Sequence, residues 1–217
     1  MNDAEYSVIR RHIEGLYGLD LRAYKSTQMK RRLDAYLLRV KAKSWREYFR
    51  RLERDAEECS RFKDYLTINV TSFFRDAAKF TLLREKVLPS LLNPARTLGI
   101  WSAGCSDGAE AYTLAMLVES VAPEQRFRLW ATDIDRGALA KAKAGGPYLA
   151  EALKEVPRSS LARYFTPAED RYIVNAELRK RVTFEEHNLL KDAIREKFDL
   201  IVCRNVVIYF TEEAKRA

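Results

Sequence analysis

Two features of this 217-residue chain have the residue types and spacing to hold a nucleoside. The first is the turn that follows the apolar run Leu98–Ala103, where Gly104 and Gly108 lead into a clean helical pattern. A strand, a glycine turn and a helix in that order are how an open α/β sheet makes a nucleotide site. The glycines let backbone approach the ligand, and the carboxyl edge of the sheet supplies the crevice. The turn lacks the third glycine of a dinucleotide fingerprint and the Gly-Lys-Ser/Thr ending of a phosphate loop. A nucleoside without phosphates, such as S-adenosylmethionine, therefore suits it better than a diphosphate. The turn alone leaves an ordinary tight βα connection equally open. The second feature is Asp133, 29 positions after Gly104 at the tip of the next strand, placed to accept hydrogen bonds from both hydroxyls of a ribose. Helix capping is the alternative for an aspartate here; it is the better reading for Asp135, and the ribose is the better one for Asp133.

These residues need a sheet to carry them, and the pattern supplies one. Apolar segments at 98–103, 127–132, 182–186 and 199–204 alternate with helical stretches, the signature of a parallel sheet. Between Arg163 and Thr183 the alternation of Tyr172, Ile173, Val174 and Leu178, with turn signals at Thr166-Pro167 and Asn175, predicts a small inserted antiparallel hairpin. Residues 4–68 contain no proline and read as helices throughout. Tyr6, Ile9, Ile13, Leu16 and Tyr17 mark a first amphipathic helix ending near Gly18. Met29, Leu33, Tyr36, Leu37 and Val40 mark a second, which would leave Arg31, Arg32 and Arg39 on an exposed flank. Ser44 is placed to cap a third helix, and a fourth spans about 57–68. Asn69–Asp76 breaks the pattern, and a helix over 77–88 then leads past Pro89 and Pro94 to the first strand. The expected organisation is a helical domain over 1–68, a linker over 69–76 and an α/β domain over 77–217.

The net charge of +8 is concentrated. Between Arg22 and Arg54 there are 12 Lys or Arg against Asp34, Glu47 and Glu53, so 12 − 3 = +9 in that stretch alone. One-signed charge of this kind calls for an anionic partner: nucleic acid, acidic lipid or an acidic protein surface. Cys59, Cys105 and Cys203 are odd in number and in no metal-ligand spacing, and only His12 and His187 could join them. They read as incidental thiols in a reducing cytosol, with no metal site. No signal peptide is apparent, and no apolar run is long enough to span a bilayer.

Four separated segments together resemble the chemotaxis-receptor glutamate O-methyltransferases of the CheR type. They are Asn69-Val70-Thr71-Ser72-Phe73-Phe74-Arg75, the turn Trp101–Tyr112, Ala131-Thr132-Asp133-Ile134-Asp135, and Phe198–Phe210. The resemblance extends over nearly the whole chain and implies an α/β fold. A small all-helical domain would precede a Rossmann-like S-adenosylmethionine-dependent methyltransferase domain carrying the inserted hairpin, with the cofactor bound between them. It also implies roles. Asn69, Thr71 and Arg75 would face the methionine end of the cofactor, and Glu110 its amino group. Asp133 would take the ribose, Asn188 and Leu189 the adenine, with Gly104 in the turn. Arg204 and Asn205 would close the site, and Arg75 and Tyr209 would hold the substrate carboxylate. Asp107 and Ala109 stand where the family commonly has Thr and Glu. Methyltransferases of this class have seven strands against the four recognisable here, so the domain is expected to be C-terminally incomplete or to have its open edge covered.

The partner implied is an acidic, glutamate-rich cytoplasmic helix of a methyl-accepting chemoreceptor, docking on Arg31, Arg32 and Arg39. The turn around Thr166–Arg171 is short and lacks the glycine of members that grip a receptor's C-terminal tether, so recognition is expected to be independent of a tether. A nucleic-acid methyltransferase would carry an Asn/Asp-Pro-Pro-Tyr type motif or a catalytic cysteine after the fourth strand; Arg204-Asn205-Val206-Val207-Ile208-Tyr209 stands there instead. A non-catalytic module binding S-adenosylmethionine or S-adenosylhomocysteine is the alternative reading.

Overall fold

Gly18 ends the first helix and Ser44 begins the third, as their residue types predict. Gly18 is left-handed (φ 68°) and donates its N–H to Glu14, while the Ser44 side chain accepts from the Glu47 N–H. The computed structural model describes residues 1–67, 71–194 and 196–216. The chain divides into two units, Met1–Ile68 with Asn205–Ala217, and Asn69–Arg204.

In the first unit the helices are α1 (Asp3–Tyr17), α2 (Ser26–Arg39), α3 (Trp45–Leu52) and α4 (Ala56–Thr67). Their apolar stripes meet over Ile9, Ile13, Leu33, Tyr36, Tyr48 and Phe62, all buried. Two of the tyrosine hydroxyls inside are partnered: Tyr48 donates to Glu58 at 2.7 Å, and its oxygen lies 3.0 Å from that of Tyr36. Residues 205–217, read from the sequence as part of the second domain, pack with this unit. The Lys25 N–H donates to the Tyr209 carbonyl at 2.9 Å, the Thr211 N–H to Ala23 at 2.8 Å, and Phe210 is buried edge-on against Tyr24.

In the second unit, α5 (Ala77–Leu82) leads through a widened turn, 83–87, into α6 (Leu88–Leu91). The helical path therefore outlasts the expected end at 88, because Pro89 falls in the first turn of α6, where no N–H is needed. A parallel sheet follows in the order β6-β2-β1-β7, from β1 (Leu98–Ala103), β2 (Phe127–Asp133), β6 (Val182–Glu186) and β7 (Leu200–Val202). Every residue of β1 is buried, which is why its sequence is nearly continuous in apolar and small residues. Helices α7 (Ala109–Val121) and α8 (Arg136–Ala144) follow β1 and β2.

The insertion contains the expected antiparallel hairpin, β4 (Phe165–Ala168) and β5 (Arg171–Val174), extended by a third strand. That strand, β3 (Tyr148–Leu149), pairs with β5. Two residues make too short a strand to show in a periodicity. Helices α9 (Arg158–Tyr164) and α10 (Ala176–Arg179) flank it. Buried Glu119 of α7 ties the insertion down, accepting from the Tyr164 hydroxyl at 2.6 Å and pairing with Arg181 at 2.9 Å. Among the described residues no helix is long and apolar enough to cross a membrane.

Candidate active site

The carboxyl edge of β1 and β2 is shaped by a turn that crosses from one strand to the other. Gly104 (φ 81°) and Cys105 both donate their N–H groups to the Thr132 carbonyl, at 2.8 and 2.9 Å. Asp133 at the end of β2 accepts from the Ser106 N–H at 2.7 Å with one carboxylate oxygen and from the Asp135 N–H at 2.9 Å with the other. It is therefore a fastener of the turn as well as a candidate ribose ligand. Each oxygen keeps a further lone pair for that second role. Burial pushes its carboxyl above the usual range, against the pull of those two N–H groups. Asp135 caps α8, accepting from Gly137 at 2.8 Å and Ala138 at 3.2 Å. Gly108 has a different reason from ligand approach: at φ 90° a Cβ there would lie 2.9 Å from the Ala142 Cβ, so it is required by close packing of α7 on α8. Cys105 is a buried thiol, pushed well above the usual range by burial, and no nucleophile.

Glu110, in the first turn of α7, is the electrostatic centre of this edge. One carboxylate oxygen accepts from the Ser102 hydroxyl of β1 at 2.9 Å, and the other lies 3.6 Å from Nη1 of Arg204, just beyond β7. Burial pushes its carboxyl up to about 7, only partly offset by Ser102, Arg204 and Arg75. Arg204 donates through Nη2 to the Arg75 carbonyl at 2.9 Å and to Asp76 at 2.5 Å, and its guanidinium lies 5.0 Å from the centre of the Phe80 ring. The second unit thus brings Gly104, Glu110, Asp133, Arg75 and Arg204 to one sheet edge. Ser102 and Asp76 are partners that sequence reasoning missed. Asp76 directly follows the Arg75 motif, and Ser102 is a polar residue inside an otherwise apolar strand; those were the available signals.

These residues fit S-adenosylmethionine. A buried carboxylate with insufficient compensation suits the cofactor's ammonium group, and the neighbouring arginines suit its carboxylate. The remaining candidates stand as follows. Thr71 is half-buried at the start of the described linker, and Asn69 lies outside the described residues. Asn188 and Leu189 are half-buried after β6, and the Asn188 side chain accepts from the Leu190 N–H at 3.0 Å. Asn205 is left-handed (φ 60°), and both it and Tyr209 belong to the first unit. Among the described residues no group of three His, Cys, Asp or Glu side chains could hold a metal ion.

The basic flank of α2 differs from the expectation at one position. Arg31 and Arg39 are exposed, but Arg32 is half-buried. Its Nε donates to the Tyr65 carbonyl at 3.0 Å, and its guanidinium lies 4.1 Å from the centre of the Tyr65 ring. Arg32 therefore fastens α2 to α4, and burial lowers its pKa. The helix period of α2 places Arg32 on a flank but does not disclose that α4 closes over it.

Residues 69–217 match the family model described as CheR methyltransferase, SAM binding domain, and residues 4–67 match that of the CheR methyltransferase, all-alpha domain. A chemotaxis protein methyltransferase of Listeria monocytogenes is 38% identical over 214 residues, covering 98% of this chain and 81% of that protein. Its counterpart in Listeria innocua is 37% identical with the same coverage. Chemotaxis protein methyltransferase 1 of Pseudomonas aeruginosa is 32% identical over 225 residues, covering 99% of this chain and 82% of that protein.

Proposed function

The chain belongs to the CheR methyltransferase family, and from that premise we propose that it methylates glutamate side chains on the cytoplasmic helices of chemoreceptors, forming the methyl esters used in sensory adaptation. The observation that carries the reading is Glu110, its side chain only 13% exposed, beside Ser102 and Arg204 at the edge of β1. S-adenosylmethionine, when bound, supplies a methyl group on a sulfonium, a good leaving group. In the proposed arrangement Glu110 meets its ammonium, Asp133 its ribose, Asn188 and Leu189 its adenine, with Gly104, Asn69, Thr71, Arg75, Arg204 and Asn205 around the rest.

A glutamate substrate with a pKa near ~4.3 is already ionised at neutral pH, so no general base is required of the protein. What remains is alignment, which can supply roughly 7–11 kcal/mol. Arg75 as a cation and Tyr209 as a neutral donor are proposed to hold the carboxylate while leaving the attacking oxygen free. Each turnover removes one negative charge, which relieves like-charge repulsion on a receptor helix and biases a two-state bundle.

For docking, Arg31 and Arg39 are the proposed contacts on α2, with Arg32 holding the helix in place. Their exposure supports steering of an acidic helix. Recognition is proposed to be independent of a receptor tether. The connection between β4 and β5 consists of Glu169 and Asp170 alone, which offers a peptide little to grip. A cytoplasmic setting follows from such a substrate. The test is transfer of tritiated methyl groups to receptor cytoplasmic fragments. Base-labile label on the fragments is expected. Binding of S-adenosylhomocysteine without any such label would leave the non-catalytic module as the better reading.

A further inference from the structure

Asp76 has no role in the site as read so far, yet its backbone and side chain both sit where an aspartate is not at ease. It stands at the start of α5, where aspartate ordinarily caps, and its side chain makes no capping bond. Asn2, Ser44, Asp135 and Asn175 all do cap the helices they precede. Asp76 is also left-handed (φ 59°, ψ 60°), an uncommon conformation outside glycine that costs free energy. Phe74, two residues earlier, is left-handed as well (φ 53°), so the linker is bent twice just before the helix.

The carboxylate that forgoes the cap goes to Arg204 instead. Nη2 of Arg204 donates to Asp76 at 2.5 Å and to the Arg75 carbonyl at 2.9 Å, and Nη1 stands 3.6 Å from Glu110. One guanidinium so ties the linker, the start of α5 and the end of β7 to the buried acid. The Asp76 carboxylate is 60% exposed, and an exposed ion pair adds little to stability. Its value is geometric, because the planar fork of an arginine is useful only when one edge is fixed.

We infer that Asp76 is a positioning residue of the cofactor cleft: it clamps the guanidinium of Arg204 beside Glu110 and against the Arg75 backbone. The inference rests on the proposal that Glu110, Arg75 and Arg204 hold the cofactor. The groups that face Glu110 are Ser102 from β1, Arg75 from the linker and Arg204 from the end of β7. Loss of the clamp should therefore leave Glu110 with a weaker cation beside it.

The variant that tests this is Asp76→Gly, which removes the carboxylate and suits the left-handed backbone, so that folding is not at risk. S-adenosylhomocysteine binding to the full chain is measured by calorimetry across pH for Asp76→Gly, Arg204→Ala and the double variant. About tenfold weaker binding is expected for Asp76→Gly, and at least that for Arg204→Ala. The double variant should bind no worse than Arg204→Ala alone, because Asp76 acts through Arg204. Both single variants should raise the pH at which binding is lost on acidification. Additive losses, unchanged affinity in Asp76→Gly, or an acid limb that moves only in Arg204→Ala would each overturn the clamp. Wild-type affinity in Arg204→Ala would instead strike the reading of the site on which the clamp rests.

Discussion

The proposed meeting of Glu110 with the cofactor's ammonium group predicts that acidification strips this protein of its cofactor before it harms the fold. The Glu110 carboxyl is pushed up to about 7 by burial, from an ordinary value of 4.5. An ammonium group binds the ionised form, so the share of ionised Glu110 scales the apparent affinity. Between pH 7.5 and 5.5 that share falls about 25-fold for a group titrating near 7, and S-adenosylhomocysteine should bind weaker by the same factor. The effect on folding has the opposite sign. The folded carboxyl keeps a proton at a pH where the unfolded one has released it, so stability falls as pH rises from about 4.5 to 7. The loss is about 3 kcal/mol in all. Glu110→Gln keeps an acceptor for Ser102 and removes the charge. It should bind S-adenosylhomocysteine at least about tenfold more weakly at pH 7.5, with no acid limb, and unfold at higher urea. Calorimetry and urea titration at matched pH supply both readouts. A flat wild-type affinity between pH 5.5 and 7.5, or an acid limb that survives in Glu110→Gln, would refute the assignment.

Further outcomes are expected at Asp133, at Tyr209 and Arg75, and along α2. Asp133→Ala should weaken S-adenosylhomocysteine binding by about 1.5–3 kcal/mol and also lower the melting temperature, because the carboxylate fastens Ser106 and Asp135; unchanged affinity by calorimetry excludes the ribose role. Tyr209→Phe should slow methyl transfer while sparing cofactor affinity, whereas Arg75→Ala should impair both; equal loss in Tyr209→Phe would make that hydroxyl structural. Arg31→Glu with Arg39→Glu should raise the KM for receptor fragments at low salt, an effect fading as the screening length shrinks from about 10 Å at 0.1 M to about 3 Å at 1 M. Arg32→Glu should instead lower the melting temperature, since it breaks the bond to Tyr65.

What the sequence disclosed and what it withheld divide along a physical line. Periodicity and turn chemistry report on local backbone, so β1, β2, β6, the Ser44 cap and the Asp135 cap could be read directly. The four motif segments carried the family, and with it the residues gathered at the sheet edge. Neither kind of signal reports what a distant element brings. Arg32 has the helical phase of a surface residue, but Tyr65, 33 positions on, takes it out of solvent. Gly108 has the look of a ligand turn, yet Ala142 and Phe184 are what require it. The Tyr209–Thr211 backbone follows a strand of the second unit and is nonetheless paired with residues 23–25. The same limit governs the chemistry. An acid at position 110 is visible in any sequence; the burial that moves its titration to near neutrality arises only once α7 is seated on the sheet, with Ser102 beneath it. Cofactor affinity in such a site is then a property of packing as much as of residue type. Substitutions that only loosen α7, and so let water reach Glu110, should lower its pKa and flatten the acid limb without touching a single ligand atom.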